Sequence, residues 1–289
     1  MKIGFIGLGS LGKTIAQRLI SQGTELLLWN RTRERAYGLG MPVAESPAEL
    51  IRKVDLVFVI VFDSEASQEV LFGKDGLVEG GVEGKTIVDM TTNHFAYVKV
   101  SYEEIKRLGG FYLDAPVLGS VVPAQKGELT MLVGGDEEKF KEHRALFEKF
   151  CKKVFYVGRA GKATKLKLIN NMVLGGIMQV LSEAIGVGEL AGIERELLIE
   201  VLENGAGKSY ILDVKKKKLL ERDYSTHFSV DLIHKDLHYA EDLVKELGAF
   251  TFTLQNVKNA YALGKYLGMG GEDFSVLVEL YKSIKTQNL

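Results

Sequence analysis

The order of apolar and polar residues splits the chain into a first part of short apolar runs alternating with helical patterns, and a second part that is helical throughout. Lys2–Ile6 (KIGFI) is a short apolar run suited to a buried parallel strand, and a helical pattern follows through Ile15, Ala16, Leu19 and Ile20 to Gly23. Leu26–Trp29, Asp55–Val61, Thr86–Met90, Phe111–Asp114, Leu129–Val133 and Val154–Val157 read as further strands, with a charged helix over Asp136–Phe150. Strands alternating with helices predict an α/β, doubly wound sheet. From Gly161 the pattern changes. Lys165 to Ala191 holds no proline, is rich in Leu, Ile, Met and Ala, and stops at Gly192, predicting a helix roughly 40 Å long that joins two domains. Its apolar positions, from Leu166, Leu168, Ile169, Met172 and Val173 to Val180 and Leu181, go right round the helix, which predicts burial on most faces. Asn170, Asn171 and Gln179 interrupt the apolar run and speak against a membrane span. Glu194–Glu203, Asn256–Tyr266 and Phe274–Lys285 complete a helical second domain, giving expected boundaries at 1–160 and 161–289.

Composition narrows the class. At 289 residues, 46% hydrophobic and 26% charged, the chain can bury the cores of about two domains. A net charge of −1 supplies no electrostatic reason to expect nucleic acid. A single cysteine, Cys151, rules out an internal disulfide framework and reads as a helix-end residue. Strand-like sequence begins at Lys2 without a charged leader and apolar core, so a cytoplasmic protein is expected. The lysine run Lys215–Lys218, with Glu221, Arg222 and Asp223 nearby, reads as a solvated helix face. Gly207-Lys208-Ser209 resembles the end of a phosphate-binding loop, but Leu202 stands where its first glycine belongs. His234 and His238 have metal-ligand spacing with no evident third ligand, so no metal is expected.

Three stretches carry candidate chemistry. Gly7-Leu8-Gly9-Ser10-Leu11-Gly12 lies between a strand and a helix, the context in which a G-x-G-x-x-G run binds a dinucleotide. Gly7 permits the tight turn, Gly9 the approach of a pyrophosphate, and Gly12 close packing of helix on strand. The second strand ends in Asn30-Arg31-Thr32, where an NAD enzyme would carry a carboxylate for the ribose 2′-hydroxyl. Arg31 offers charge and Asn30 and Thr32 offer donors, so NADP(H) is expected over NAD(H). The strand ends at Val61-Phe62 and Thr91-Thr92 lie on the ligand-binding edge of such a sheet. Lys167, Asn170 and Asn171 share one face of the long helix; they either meet a substrate, or are a snorkelling lysine beside asparagines bonded to backbone.

Taken in order, GLGSLG at 7–12 with WNRT at 29–32, DAPVLGS at 114–120, KLINNM at 167–172 and FSVDLIHKDL at 228–237 resemble the β-hydroxyacid dehydrogenase family over almost the whole chain. PAQKGEL at 123–129 and GMGGEDFS at 268–275 lean toward its glyoxylate/succinic semialdehyde reductase branch. The resemblance implies a Rossmann-type domain followed by an all-helical one, and hydride transfer between NADP(H) and a small carboxylate-bearing aldehyde or hydroxyacid. It implies Lys167 as the acid/base and Asn171 as a substrate ligand. Thr92 stands at the nicotinamide end, Gly119 and Ser120 hold the substrate carboxylate, Phe228 and Asp236 wall the pocket, and Lys235 touches the cofactor. Leu118 departs from the family's usual serine and removes a hydroxyl from the carboxylate grip; Ser10 and Leu11 replace the common isoleucine and methionine. A 3-hydroxyisobutyrate or other 3-hydroxyacid dehydrogenase is the neighbouring alternative. An imine reductase generally lacks the lysine, and a non-catalytic NADP-binding sensor would bind cofactor without turnover. The all-round apolar helix also predicts a homodimer or homotetramer.

Overall fold

A computed structural model describes residues 1–281. Eight strands, β1 (Ile3–Ile6), β2 (Leu26–Trp29), β3 (Leu56–Val59), β4 (Thr86–Asp89), β5 (Phe111–Asp114), β6 (Val117–Leu118), β7 (Leu129–Gly135) and β8 (Cys151–Gly158), form one sheet. Its order is β2-β1-β3-β4-β5-β7-β6, with β8 paired to β7. The first five strands are parallel. β7 runs antiparallel to β5 and β6 and parallel to β8. Between the strands lie helices α1 (Ser10–Ser21), α2 (Pro47–Lys53), α3 (Ser64–Phe72), α4 (Leu77–Gly80), α5 (Phe95–Arg107), α6 (Val121–Lys126) and α7 (Glu137–Phe147).

Alternation along the strands gives the sheet two dry faces. Phe5, Leu56 and Phe58 pack with Ile15, Leu19, Phe147 and Phe150 on one side. Ile6, Val57 and Val59 pack with Leu50, Ile51, Val98 and Ile105 on the other. This is the doubly wound α/β arrangement expected from the strand–helix alternation. Two details differ from expectation. The pair Val117–Leu118 forms a strand too short to show a period of its own, fixed by pairing with Met131 and Thr130. Cys151 does not end a helix: it opens β8, buried at 4% exposure, and burial pushes its thiol up to about 12.

The chain divides into two compact units, Met1–Lys167 and Leu168 onward. α8 (Lys162–Leu190) begins in the first and continues into the second, which also holds α9 (Arg195–Asn204), α10 (Tyr210–Glu221), α11 (Val230–Glu246), α12 (Leu254–Tyr266) and a 3₁₀ segment, Phe274–Tyr281. The remainder of the expected Phe274–Lys285 helix, residues 282–285, lies outside the described residues. By length and composition α8 could cross a membrane, yet Asn171, Gln179 and Ser182 are buried along it.

Among the described residues, burial on most faces of α8 is incomplete. Ile169, Val173, Val180 and Val187 are 49–62% exposed. Their spacings of four, seven and seven residues put them on a single stripe. The lysine run also differs from expectation. Lys215 and Lys218 are 4% and 7% exposed, because positions three apart on α10 share the inward face. The Lys215 ammonium lies 2.7 and 2.8 Å from the two oxygens of the fully buried Asp273. Lys218 donates to the Ser225 carbonyl and hydroxyl and to the Asp223 carboxylate.

Candidate active site

The glycine turn is shaped by contacts within the first unit. Gly7 has φ +96°, and a Cβ there would collide with the Ile60 carbonyl; at Gly12 a Cβ would collide with the Gly7 carbonyl. Gly9 is different. The nearest atom to a Cβ built on it is Arg35 Nη1 at 3.9 Å, so no protein group requires glycine there. It precedes α1 without a side-chain cap, leaving the amides of the first turn and the positive end of the helix dipole for an anion. Open space, uncapped amides and a nearby guanidinium fit a pyrophosphate.

Asn30 does structural work at this turn. Its Oδ1 accepts the Leu8 N–H at 2.8 Å, and its Nδ2 donates to the Thr32 carbonyl at 2.8 Å. Leu8 is buried in the core, Leu11 packs against it, and the Ser10 carbonyl accepts the Thr14 hydroxyl. Arg31 and Thr32 are exposed.

Two buried aspartates organise the strand ends. Asp89 closes β4 and accepts from Ser67 Oγ, Asn93 Nδ2 and Tyr112 OH on Oδ2, and from the Thr91 N–H on Oδ1, at 2.8–2.9 Å. Thr91 Oγ1 in turn accepts the Val61 N–H at 3.1 Å. The loops after β3 and β4, carrying Val61, Phe62 and Thr92, are thus tied through one carboxylate. Burial raises that carboxyl above its ordinary range despite the donors. Asp114 closes β5 and binds the start of α8 through Gly161 and Thr164.

Lys167 is 7% exposed, and its Nζ donates to the Val117 carbonyl at 2.8 Å. Leu118, half-buried in β6, follows directly. Gly119 turns the chain at φ +115°, where a Cβ would meet Leu129 at 2.7 Å. Ser120 precedes α6 with a hydroxyl that does not cap it. The structure therefore brings Lys167 to the Val117 carbonyl, at the start of the 117–120 segment. The bland reading of Lys167, a lysine snorkelling to solvent, is excluded by its burial.

In the second unit Asn171 is fully buried and donates to Asp236 Oδ2 at 2.6 Å, while accepting from Asn170 Nδ2 at 3.1 Å. Lys235 lies 2.8 Å from Asp236 Oδ1 and 5.0 Å from the Tyr239 ring centroid. Asp236, 1% exposed, thus bridges Asn171 and Lys235. Phe228 packs edge-on against Phe274 at 5.7 Å, and its N–H, like that of His227, points to Asp273.

Comparison with known proteins decides the lineage. A family model for the NAD-binding domain of 6-phosphogluconate dehydrogenase matches residues 2–158, and one for the NAD-binding region of NADP-dependent 3-hydroxyisobutyrate dehydrogenase matches 161–281. The chain is similar to glyoxylate/succinic semialdehyde reductase 1 of Arabidopsis thaliana, 32% identical over 285 residues that cover 98% of this chain and 99% of that one. It is also 32% identical over 294 residues to 2-hydroxy-3-oxopropionate reductase of Escherichia coli (strain K12), covering 100% of both. The chain belongs to the β-hydroxyacid dehydrogenase family. A solved complex of Psf3 with NADP+ and 2-OPP has the same fold, with a TM-score of 0.90 and 27% identity over 96% of this chain and 99% of that one.

As a β-hydroxyacid dehydrogenase the protein is an NAD(P)-dependent oxidoreductase. Sequence motifs singled out Lys167 and the glycine turn. They did not reveal Asp89, Asp114, Thr164 or the Lys215–Asp273 pair. The available signal was an aspartate ending an apolar strand, in TIVDM and FYLD, since a buried carboxylate must find donors.

Proposed function

We propose that this β-hydroxyacid dehydrogenase prefers NADP(H) and reduces small carboxylate-bearing aldehydes of the glyoxylate or succinic semialdehyde type, or oxidises the matching hydroxyacids, with Lys167 as acid/base. The observation that carries this reading is the buried Lys167 amine, 2.8 Å from the carbonyl of Val117, the residue that precedes Leu118-Gly119-Ser120 in the chain. When bound, the nicotinamide cofactor supplies or accepts the hydride. The amino-acid side chains do the rest. As an ammonium, Lys167 Nζ donates a proton to the oxygen of the reduced carbon; as a neutral amine, it takes that proton back in oxidation. Before transfer its charge stabilises the developing oxyanion. The 119–120 turn presents backbone amides and the Ser120 hydroxyl to the substrate carboxylate. Asn171, held by Asp236, supplies a further donor. Preference for the phosphorylated cofactor is supported by Arg31 and Arg35 on the loop after β2 and by the absence of a carboxylate in Asn30-Arg31-Thr32.

The exposed stripe of Ile169, Val173, Val180 and Val187 supports self-association, with the same stripe of a second copy as its partner.

A panel of small aldehyde acids and hydroxyacids, followed by NADPH absorbance, tests the reading. Lys167→Ala is expected to lose about three orders of magnitude in kcat while NADPH binding is retained. Near-normal turnover in that variant, or kcat/KM with NADH equal to that with NADPH, overturns the corresponding half.

A further inference from the structure

α8 starts without a cap of its own. Gly161, immediately before Lys162, has φ +86° and no side chain to accept from the first-turn amides. A carboxylate from far back in the chain takes that place. Asp114, 1% exposed at the end of β5, accepts the Gly161 N–H at 2.9 Å and the Thr164 N–H at 3.0 Å on Oδ2, and the Thr164 hydroxyl at 2.6 Å on Oδ1. The helix dipole and free amides converge on it and offset part of the cost of burying its carboxylate.

A second contact repeats this one three residues on. Thr164 pairs with Asp114, and Lys167 pairs with Val117, each across a separation of 50 residues. The 114–117 segment and the opening turn of α8 therefore run side by side, joined by two rungs. The first rung is a buried three-bond contact of the Asp114 carboxyl; the second is a bond from the Lys167 amine to a backbone carbonyl. An error in the first would be carried along the rigid helix to the second.

We propose that Asp114 and Thr164 are positioning residues for Lys167, holding the first turn of α8 so that its amine meets the 117–120 segment in a reactive geometry. The kinetic side of this proposal rests on the acid/base role given to Lys167 above. Neither residue is assigned contact with substrate or cofactor; their effect passes through the helix.

The test uses the full chain with Thr164→Val, which keeps shape and N–H but removes the hydroxyl, and Thr164→Ser, which retains it. Two measurements are made on each: the rate of reductive methylation of Lys167 by formaldehyde and a borane, mapped by peptide mass, and steady-state kinetics with the best aldehyde acid. In Thr164→Val, Lys167 is expected to methylate at least about fivefold faster as its rung opens. kcat is expected to fall about tenfold to a hundredfold with KM changed less than about threefold. Thr164→Ser stays within about twofold of wild type in both, since its hydroxyl still reaches Asp114. If Thr164→Val is not folded, Asp114→Asn and Thr164→Ala carry the same readouts. Unchanged labelling and unchanged kcat overturn the proposal, even with a lowered melting temperature, because that is what a purely structural cap would give. Faster labelling in a protein that turns over no aldehyde acid upholds the positioning role and overturns the function proposed above.

Discussion

The two units keep buried charge in different ways. In the first, Asp89 and Asp114 are each 1% exposed and are met only by neutral donors: hydroxyls, an amide and backbone N–H groups. In the second, carboxylates are met by cations: the buried Asp273 by Lys215, the buried Asp236 by Lys235, and the half-buried Glu189 by Arg195, which is itself 3% exposed. The titration follows. Burial pushes Asp114 up to about 6 against the pull of its donors, whereas at Asp273 burial is outweighed by the charge and hydrogen bonds of Lys215 together with the hydrogen bonds of Ser275, which hold it below the ordinary carboxylate range. A carboxylate among neutral donors can shed its charge by taking a proton and stay in place. A carboxylate paired with an ammonium cannot be altered without stranding its partner.

That contrast orders the expected effects. The largest belongs to the ion pair. Asp273→Ala leaves the Lys215 ammonium buried and uncompensated and is expected to cost about 3–5 kcal/mol by denaturant unfolding. The double change Lys215→Met with Asp273→Leu should recover most of that loss, and failure to recover would show that the hydrogen bonds to His227, Phe228 and Ser275, not the charge, dominate. Next comes the pH dependence of the neutral cage. The raised pKa of Asp114 means the native state binds its proton more tightly than the unfolded chain does. Stability therefore falls as pH rises from about 4 to about 6 and levels off above that, a span of about 3 kcal/mol for this one group. Asp114→Asn, which cannot ionise, isolates the term: wild type should lose that amount relative to the variant across the window. A flat difference would place the carboxyl at its ordinary value. The smallest effect is expected from Ser67→Ala, which removes one of the donors to Asp89 and should cost only about 1 kcal/mol.

The same contrast explains how much could be read from the sequence. The strands, the glycine turn and the long helix follow from periodicity and glycine placement, both local signals. Lys167 emerged because a cation on an apolar helix is conspicuous and because KLINNM resembles a known motif. What escaped was always a pairing across the chain. Asp114 and Thr164 are 50 residues apart, Asp89 and Ser67 are 22 apart, and Lys215 and Asp273 are 58 apart. Lys215 and Lys218 look like solvent-facing charge until their partners are seen. On α8 the apolar residues announce burial on most faces, yet among the described residues Ile169, Val173, Val180 and Val187 stay exposed.

Asn30 has a consequence for anyone wishing to re-engineer coenzyme choice. Its amide accepts from Leu8 and donates to Thr32 at once, which a carboxylate cannot do. Grafting the acidic residue of NAD enzymes onto this position would set it against the Thr32 carbonyl and loosen the loop meant to be preserved. A switch is better sought in the exposed arginines that follow, where charge can be exchanged without disturbing the turn.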